Sequence, residues 1–368
     1  MKTYRVRLES EVFNTYRCQR AANSLDINTE KKAIHEFSVE ADIEGDYNVG
    51  LILGASGSGK TTLAKQIWDF QTNHWELDES RPIIDQFPEQ YSYDECAELL
   101  AGIGLTAVPC WIRPVYTLSN GQKARAAAAL AMVWSNPPVV IDEWTSVVDR
   151  TVAKVMSHCV QKFARKRSKK IVLLSCHYDV IEWLNPDWII DCNRADFTDR
   201  RLLHPNERCR QESLVFDIRH VDRKSWKYFS KYHYLSDRLP GGLIKTFGLF
   251  HGANQIGFQC FANYTPHRGG KIIMHSNRTV IHPDYAGLGM GIKLINETSA
   301  FMAAQGYRVM AKYSSTPVFK AMSKYPEWSL LEVKSQIGKM PVGGNMIRKS
   351  GFRENVKTYS FEYVGRTS

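Results

Sequence analysis

The stretch NVGLILGASGSGKTTLAKQIWDF, residues 48–70, decides the reading of the first half of the chain. Its apolar run ends at Leu53 and reads as a short buried strand. Residues 54–61, Gly-Ala-Ser-Gly-Ser-Gly-Lys-Thr, satisfy G-x-x-x-x-G-K-[ST], and TTLAKQIWDF then reads as a helix. Strand, glycine loop and helix are the context this motif needs. Gly54, Gly57 and Gly59, with Ser56 and Thr62 in the same loop, let backbone N–H groups converge on a β-phosphate. Lys60 is placed to reach the β- and γ-phosphates and the Thr61 hydroxyl to hold Mg²⁺.

Four further motifs follow in order. LSNGQ (118–122) precedes a helical stretch, and VVIDE (139–143) ends an apolar strand on Asp142 and Glu143. SVVD closes on Asp149, and His177 follows the strand KIVLLS (170–175). In this order and near-family spacing the chain resembles the ABC ATPase superfamily. The resemblance implies that Asp142 holds Mg²⁺ through water and that Glu143 polarises the attacking water. It implies that His177 senses the γ-phosphate, that Asp149 lies at a dimer seam, and that Ser119 and Gly121 contact the nucleotide of a second copy. One motif set per chain then implies a two-fold homodimer closing on two ATPs. Gln86, in PIIDQF (82–87), is the candidate for a further Mg²⁺ contact, with Gln90 competing for the role.

Lys60 and Ser119 stand 59 residues apart. By the resemblance, transporter engines spend longer there on the arm that grips membrane subunits, and long-armed chromosome clamps insert coiled coils. A small soluble regulator is the class left.

A second glycine-rich stretch, IHPDYAGLGMGIKL, occupies residues 281–294. AGLGMG (286–291) follows the strand RTVIHP and opens a helix that runs to about Gln305, but it lacks the Lys-Ser/Thr pair of the first loop. In isolation it is equally an ordinary tight strand–helix turn. Its surroundings run strand–helix–strand–strand–strand–loop–helix–strand–helix, in about 150 residues, and with them it resembles the acyl-CoA loop [RQ]-x-x-G-x-[GA] of GNAT acetyltransferases. Gly289 and Gly291 take the glycine positions, with Gly287 beside them, and their N–H groups and the helix N-terminus are expected to bind the pyrophosphate of acetyl-CoA or another acyl-CoA. The Arg/Gln position is Ala286, a departure that Arg278 or Lys293 would have to offset. Acyl transfer needs an amine deprotonated, a thiolate protonated and an oxyanion stabilised. Candidates are His282 and Tyr313 as acid and base, His233 and Tyr234 as further candidates, and the backbone N–H near Val280 for the oxyanion. Each aromatic residue reads equally as packing.

At 368 residues the chain has room for two domains, each with its own core. The expected fold class is α/β: an ABC-type P-loop domain over 1–205, then an α+β GNAT-type domain over 210–368, with the linker at about 193–213. Residues 209–368 carry 23 Lys+Arg against 10 Asp+Glu, so the whole excess of positive charge lies there, while residues 1–208 are at −3. Such a domain points to a polyanion, nucleic acid first. The basic run ARKRSKK (164–170) reads as a solvated helix end. No stretch approaches 18 apolar residues and the N-terminus shows no signal-peptide core, so a membrane partner and secretion are not expected. Eight scattered cysteines without C-x-x-C fit reduced thiols in a cytoplasm.

Taken whole, the chain resembles a family of ABC-type ATPases fused to a GNAT-type domain, with RCQRAANSLDI and KYHYLS among the shared features. KYHYLSDRLPG and YSSTPVFKAMSKYPEW are distantly similar to the phage Mom enzymes, which modify adenine in DNA. The expected function is an ATP-hydrolysing ATPase fused to an acyl-CoA-dependent N-acyltransferase that modifies nucleic acid. The alternatives are a protein or small-molecule N-acetyltransferase regulated by ATP, and a non-catalytic DNA-associated ATPase.

Overall fold

The computed structural model describes residues 1–10, 13, 15–24, 33–68, 70, 77–135, 137–201, 203, 215–233, 238–264, 270–336 and 356–365. Tyr234, Cys209 and residues 204–213 of the expected linker lie outside them. The chain divides into two compact units. One comprises 1–88 and 114–212; the other comprises 89–113 and 213–368.

In chain order the first unit begins with β1 (Lys2–Ser10), α1 (Tyr16–Ser24), β2 (Ala33–Ala41), β3 (Val49–Leu53) and α2 (Lys60–Trp68). Segment 89–113 supplies α3 (Tyr93–Gly102) and α4 (Val108–Trp111) to the second unit. The first unit resumes with α5 (Asn120–Trp134), β4 (Val139–Ile141), α6 (Arg150–Lys166), β5 (Ile171–Ser175), α7 (Val180–Leu184), β6 (Trp188–Asp191) and β7 (Asp196–Asp199). Its main sheet has the order β4-β5-β3-β6-β7, parallel except for β7. The apolar runs of the sequence become its central strands: β3 and β5 are buried at every residue, as strands covered on both faces must be.

Packing on one face turns on Trp188, fully buried, which lies over Gly50; a Cβ there would meet the indole at 2.1 Å. Trp68 stacks on the same indole and Tyr47 meets it edge-on. The antiparallel pair β1–β2 packs its Val6 and Val39 into this core. Side-chain caps fix where the two long helices start. Ser119 and Gln122 form a reciprocal capping box at α5, and the Asp149 carboxylate accepts from the N–H groups of Thr151 and Val152 at α6.

The second unit continues with β8 (Asp217–His220), α8 (Trp226–Phe229), β9 (Ile244–His251), β10 (Asn254–Ala262), β11 (Ile273–Ile281), α9 (Met290–Ala304), β12 (Arg308–Tyr313), α10 (Thr316–Met322), β13 (Trp328–Gln336) and β14 (Val356–Tyr363). Through α10 this is the element order expected from the sequence, and β13 and β14 extend it. One seven-stranded sheet has the order β13-β14-β12-β11-β10-β9-β8. Only β11–β12 is parallel, and that pairing covers Ile273–Ser276 against Arg308–Ala311. Beyond Ser276 the two strands part. At the same point the β10–β11 register shifts by one residue, so Asn277 is the extra residue of a β-bulge. α9 packs on one face of the sheet with Met274 and Phe261, while Trp226 and Phe229 of α8 pack on the other against Phe258, Cys260 and Val280. Both units are mixed α/β, as the sequence led one to expect.

Candidate functional sites

In the first unit the glycine loop joins β3 to α2. Gly54, Gly57 and Gly59 have φ of +155°, +79° and +92°, values that favour glycine. A Cβ on Gly57 would meet nothing within 4 Å, so the loop presents open backbone there. A Cβ on Gly59 would sit 3.0 Å from Phe37 and Val6, which ties the loop to the β1–β2 pair. Ser56 is exposed on the loop, and Thr62 is half-buried in the first turn of α2. Lys60 is buried; its Nζ donates to the carbonyls of Gly54 and Ala55, both at 2.8 Å. The Asn193 carboxamide oxygen accepts from the Ala55 N–H at 3.1 Å, a loop contact no motif announces.

Thr61 Oγ1 donates to Asp142 Oδ2 at 2.7 Å, so the two oxygens expected to hold Mg²⁺ meet although 81 residues apart. Two hard oxygen donors beside a cradle of N–H groups fit a Mg²⁺-nucleotide. Glu143 follows with φ +53° and Thr145 with φ +68°. A left-handed β-branched residue is a strained backbone, and such strain concentrates at functional turns. The turn is held by Ser175 Oγ, which donates to Trp144 O at 3.0 Å, and by Ser146 Oγ, which donates to the Glu143 carboxylate. Thr145 Oγ1 lies 3.4 Å from His177 Nδ1. His177 and Glu143 are therefore linked through one turn, with Thr145 and Ser146 as members the motifs did not flag.

Ser119 is exposed at the start of α5, and Gly121 faces α6: a Cβ there would meet Val152 Cγ1 at 2.9 Å. Asp149 is exposed, with its carboxylate engaged in the α6 cap. The structure does not bring Gln86 to the Thr61–Asp142 pair. Its amide nitrogen donates to Asp78 O at 2.9 Å and Arg81 O at 3.2 Å, and its oxygen accepts from Asp78 N–H at 2.9 Å. Gln90 is exposed in segment 89–113.

In the second unit the loop after β11 turns through Pro283–Tyr285 and enters α9 at Gly289, with φ of +93° at Gly287 and +76° at Gly289. A Cβ on Gly289 would meet nothing within 4 Å, and one on Gly291 only Ile281 at 3.6 Å. The helix N-terminus is thus reachable by a bulky anion, as a pyrophosphate cradle requires. Ala286 is buried and Lys293 is exposed. Arg278 is buried on the α8 side, where its guanidinium donates to the carbonyls of Asn277 and Arg238.

Backbone alternation corrects one expectation. His282 N–H donates to Ile256 O at 2.7 Å, which makes 282 and 256 a hydrogen-bonded pair. Two residues back, Val280 then also points its N–H at β10. The N–H groups of Thr279 and Ile281 face the gap where β12 has left, so an oxyanion donor in the gap comes from them rather than from Val280.

His282 Nε2 lies 3.1 Å from the Tyr232 hydroxyl, and its ring stacks at 12° on Tyr228. Nδ1 lies 3.4 Å from an Asp284 oxygen. It borders a cleft of about 440 Å³ that Ser225, Tyr228, Gln255 and Tyr285 also line. Tyr313 ends β12, packed against the core of the α9 face. His233 meets Trp226 edge-on, and burial, reinforced by Arg278, pushes its pKa down to about 4, so it stays neutral at pH 7.

No protein-family model matches the chain. Two curated proteins align with it. One, from Listeria monocytogenes, is described as a candidate ABC transporter ATP-binding protein; it is 28% identical over 190 residues, covering 41% of this chain and 69% of its own length. The other is an energy-coupling factor transporter ATP-binding protein of Leuconostoc mesenteroides, 23% identical over 56% of this chain and 94% of its own length. Among solved structures, an ATP-binding cassette captured as a dimer with ADP and phosphate aligns at TM-score 0.36 and 18% identity, over 46% of this chain and 93% of that one. An Arabidopsis thaliana protein, NAA60, solved with acetyl-CoA aligns at TM-score 0.30 and 14% identity, over 40% and 98%. Among the described residues no helix is long and apolar enough to cross a membrane.

Proposed function

We propose that the chain is an ABC-type ATPase fused to an acyl-CoA-dependent N-acyltransferase of GNAT type, and that it modifies a nucleic acid. Residues 1–205 are the ATPase domain and 210–368 the acyltransferase domain. The observation that carries this reading is the presence of two separate strand–glycine turn–helix cradles in one chain. One has a Thr61–Asp142 oxygen pair for Mg²⁺; the other has a sheet gap beside it. The ATP-binding relatives support the first assignment.

At the first cradle Lys60 and the loop N–H groups would hold the ATP phosphates, and Thr61 and Asp142 would hold Mg²⁺, which would supply charge neutralisation at the phosphoryl group. Glu143 orients the water and His177, tethered through Thr145, contacts the γ-phosphate. Ser119, Gly121 and Asp149 complete the site of a second copy, so the working form is a homodimer. At the second cradle the Gly287–Gly291 turn binds the pyrophosphate of acetyl-CoA or another acyl-CoA. The N–H of Thr279 or Ile281 stabilises the oxyanion, and His282 or Tyr313 moves the proton.

The nucleic-acid acceptor rests on the net +13 of residues 209–368. A base within a duplex is out of reach, and closure of the ATP-bound dimer would present it. The test compares nucleosides from total DNA and RNA by mass spectrometry after expression of the wild type, Lys60→Ala and Gly289→Trp. A new nucleoside in the wild type alone supports the proposal and its mass identifies the group. Identical profiles in all three would move the acceptor to protein or small molecules.

A further inference from the structure

The bulge at Asn277 has a consequence on the α8 face of the sheet. It places Arg278 among Cys260, His233 and Tyr264, groups that carry no charge at neutral pH and whose titration Arg278 lowers. Arg278 is buried, with 8% of the residue exposed. A guanidinium has five N–H donors. This one makes two long contacts, each 3.4 Å, to the carbonyls of Asn277 and Arg238. Its Nε is buried without a hydrogen-bond partner, and so is Asn277 Oδ1 next to it. Among the described residues no carboxylate pairs with Arg278, whereas Arg165, Arg201 and Arg308 each have one.

A buried cation is costly unless an opposite charge and hydrogen bonds compensate it. Strand β11 thus carries an uncompensated cation one residue from Thr279, whose N–H faces the gap. We propose that Arg278 is an anion subsite of the acceptor side of the transferase, taking one oxyanionic group, carboxylate or phosphate, of the acceptor. A guanidinium fork matches such a group bidentately, and the adjoining Asn277 amide oxygen can accept from a neighbouring N–H of the same ligand. This rests on the acyltransferase reading of the second unit and makes the acceptor an anionic molecule or residue.

The test measures thermal unfolding of the full chain with and without Arg278→Met. Both proteins carry Lys60→Ala, so that the first cradle contributes little. Sodium phosphate, sodium acetate and a short single-stranded DNA are each compared with chloride at equal ionic strength. With chloride alone, Arg278→Met is expected to be at least as stable as its parent, because an apolar chain replaces an uncompensated charge. At least one oxyanion should stabilise the parent saturably, with the shift lost in Arg278→Met; which probe acts identifies phosphate, carboxylate or polymer phosphate as the source. A large loss of stability in Arg278→Met with chloride, or equal oxyanion shifts in the two proteins, would overturn the subsite and make Arg278 a structural residue. A shift produced by acetyl-CoA in both proteins keeps the acyltransferase reading intact whichever way the oxyanion result falls.

Discussion

Ser119 can serve as a helix cap, as a contact to the nucleotide of a partner copy, or as both, and two substitutions separate the roles. Its hydroxyl accepts from Gln122 N–H at 3.4 Å, and the Gln122 side chain accepts from Ser119 N–H at 3.1 Å. Loss of an N-cap costs about 0.5–2 kcal/mol. The 3.4 Å bond is long and the site is exposed, so Ser119→Ala should fall near the lower end, about 0.5–1 kcal/mol. In a unit of this size that corresponds to a fall in Tm of roughly 1–4 °C. Ser119→Asp keeps a capping oxygen and adds favourable charge at the start of α5, so its Tm should match the wild type or exceed it slightly. The same carboxylate would face the γ-phosphate in a closed dimer, and like charges in contact should abolish turnover. Steady-state phosphate release and calorimetry on the three proteins give the answer. An Asp variant with wild-type Tm and wild-type ATPase rate would sink the trans contact and leave Ser119 a cap alone.

Three further outcomes follow from the geometry. Glu143→Gln should dimerise with ATP and Mg²⁺ in static light scattering, and a monomer under those conditions removes the sandwich proposal. Gly50→Ala should destabilise by roughly 1–3 kcal/mol or more in urea melts, since the new Cβ would lie 2.1 Å from Trp188, and a neutral result would refute that packing. His158 and His233 are each held to a pKa of about 4, chiefly by burial. The unfolded chain takes up their protons near 6.5 and the folded one near 4. That stability is therefore present above 6.5 and is lost as pH falls toward 4. Urea midpoints should drop from pH 7.5 to 5, less so in His158→Gln and His233→Gln.

The first cradle was legible because its motifs constrain backbone and side chain together. Three glycines with positive φ shape the loop, and Asp142, just past the end of β4, meets Thr61. LSNGQ carried a second message in the same letters, since Ser-x-x-Gln is also a capping box. Gln86 was not legible, because its local hydrogen bonds to residues 78–81 depend on a turn the sequence does not mark. Val280 failed for a different reason. Which N–H groups face the gap depends on register and on a bulge at Asn277, and period-two alternation alone fixes neither. Arg278 looked available to a phosphate near the second loop, and the bulge instead buries it beneath the opposite face.

The parting of β11 from β12 leaves part of a sheet edge inside the unit, with the amides of Thr279 and Ile281 turned toward it. Paired neighbours on β10 and β11 give up their protons to solvent only when the sheet opens, whereas these two can exchange from the folded state. The gap thereby provides its own isotopic reporter. In deuterium the two amides should exchange early in the free protein and slow when an acyl-CoA fills the gap, reporting occupancy residue by residue without any turnover.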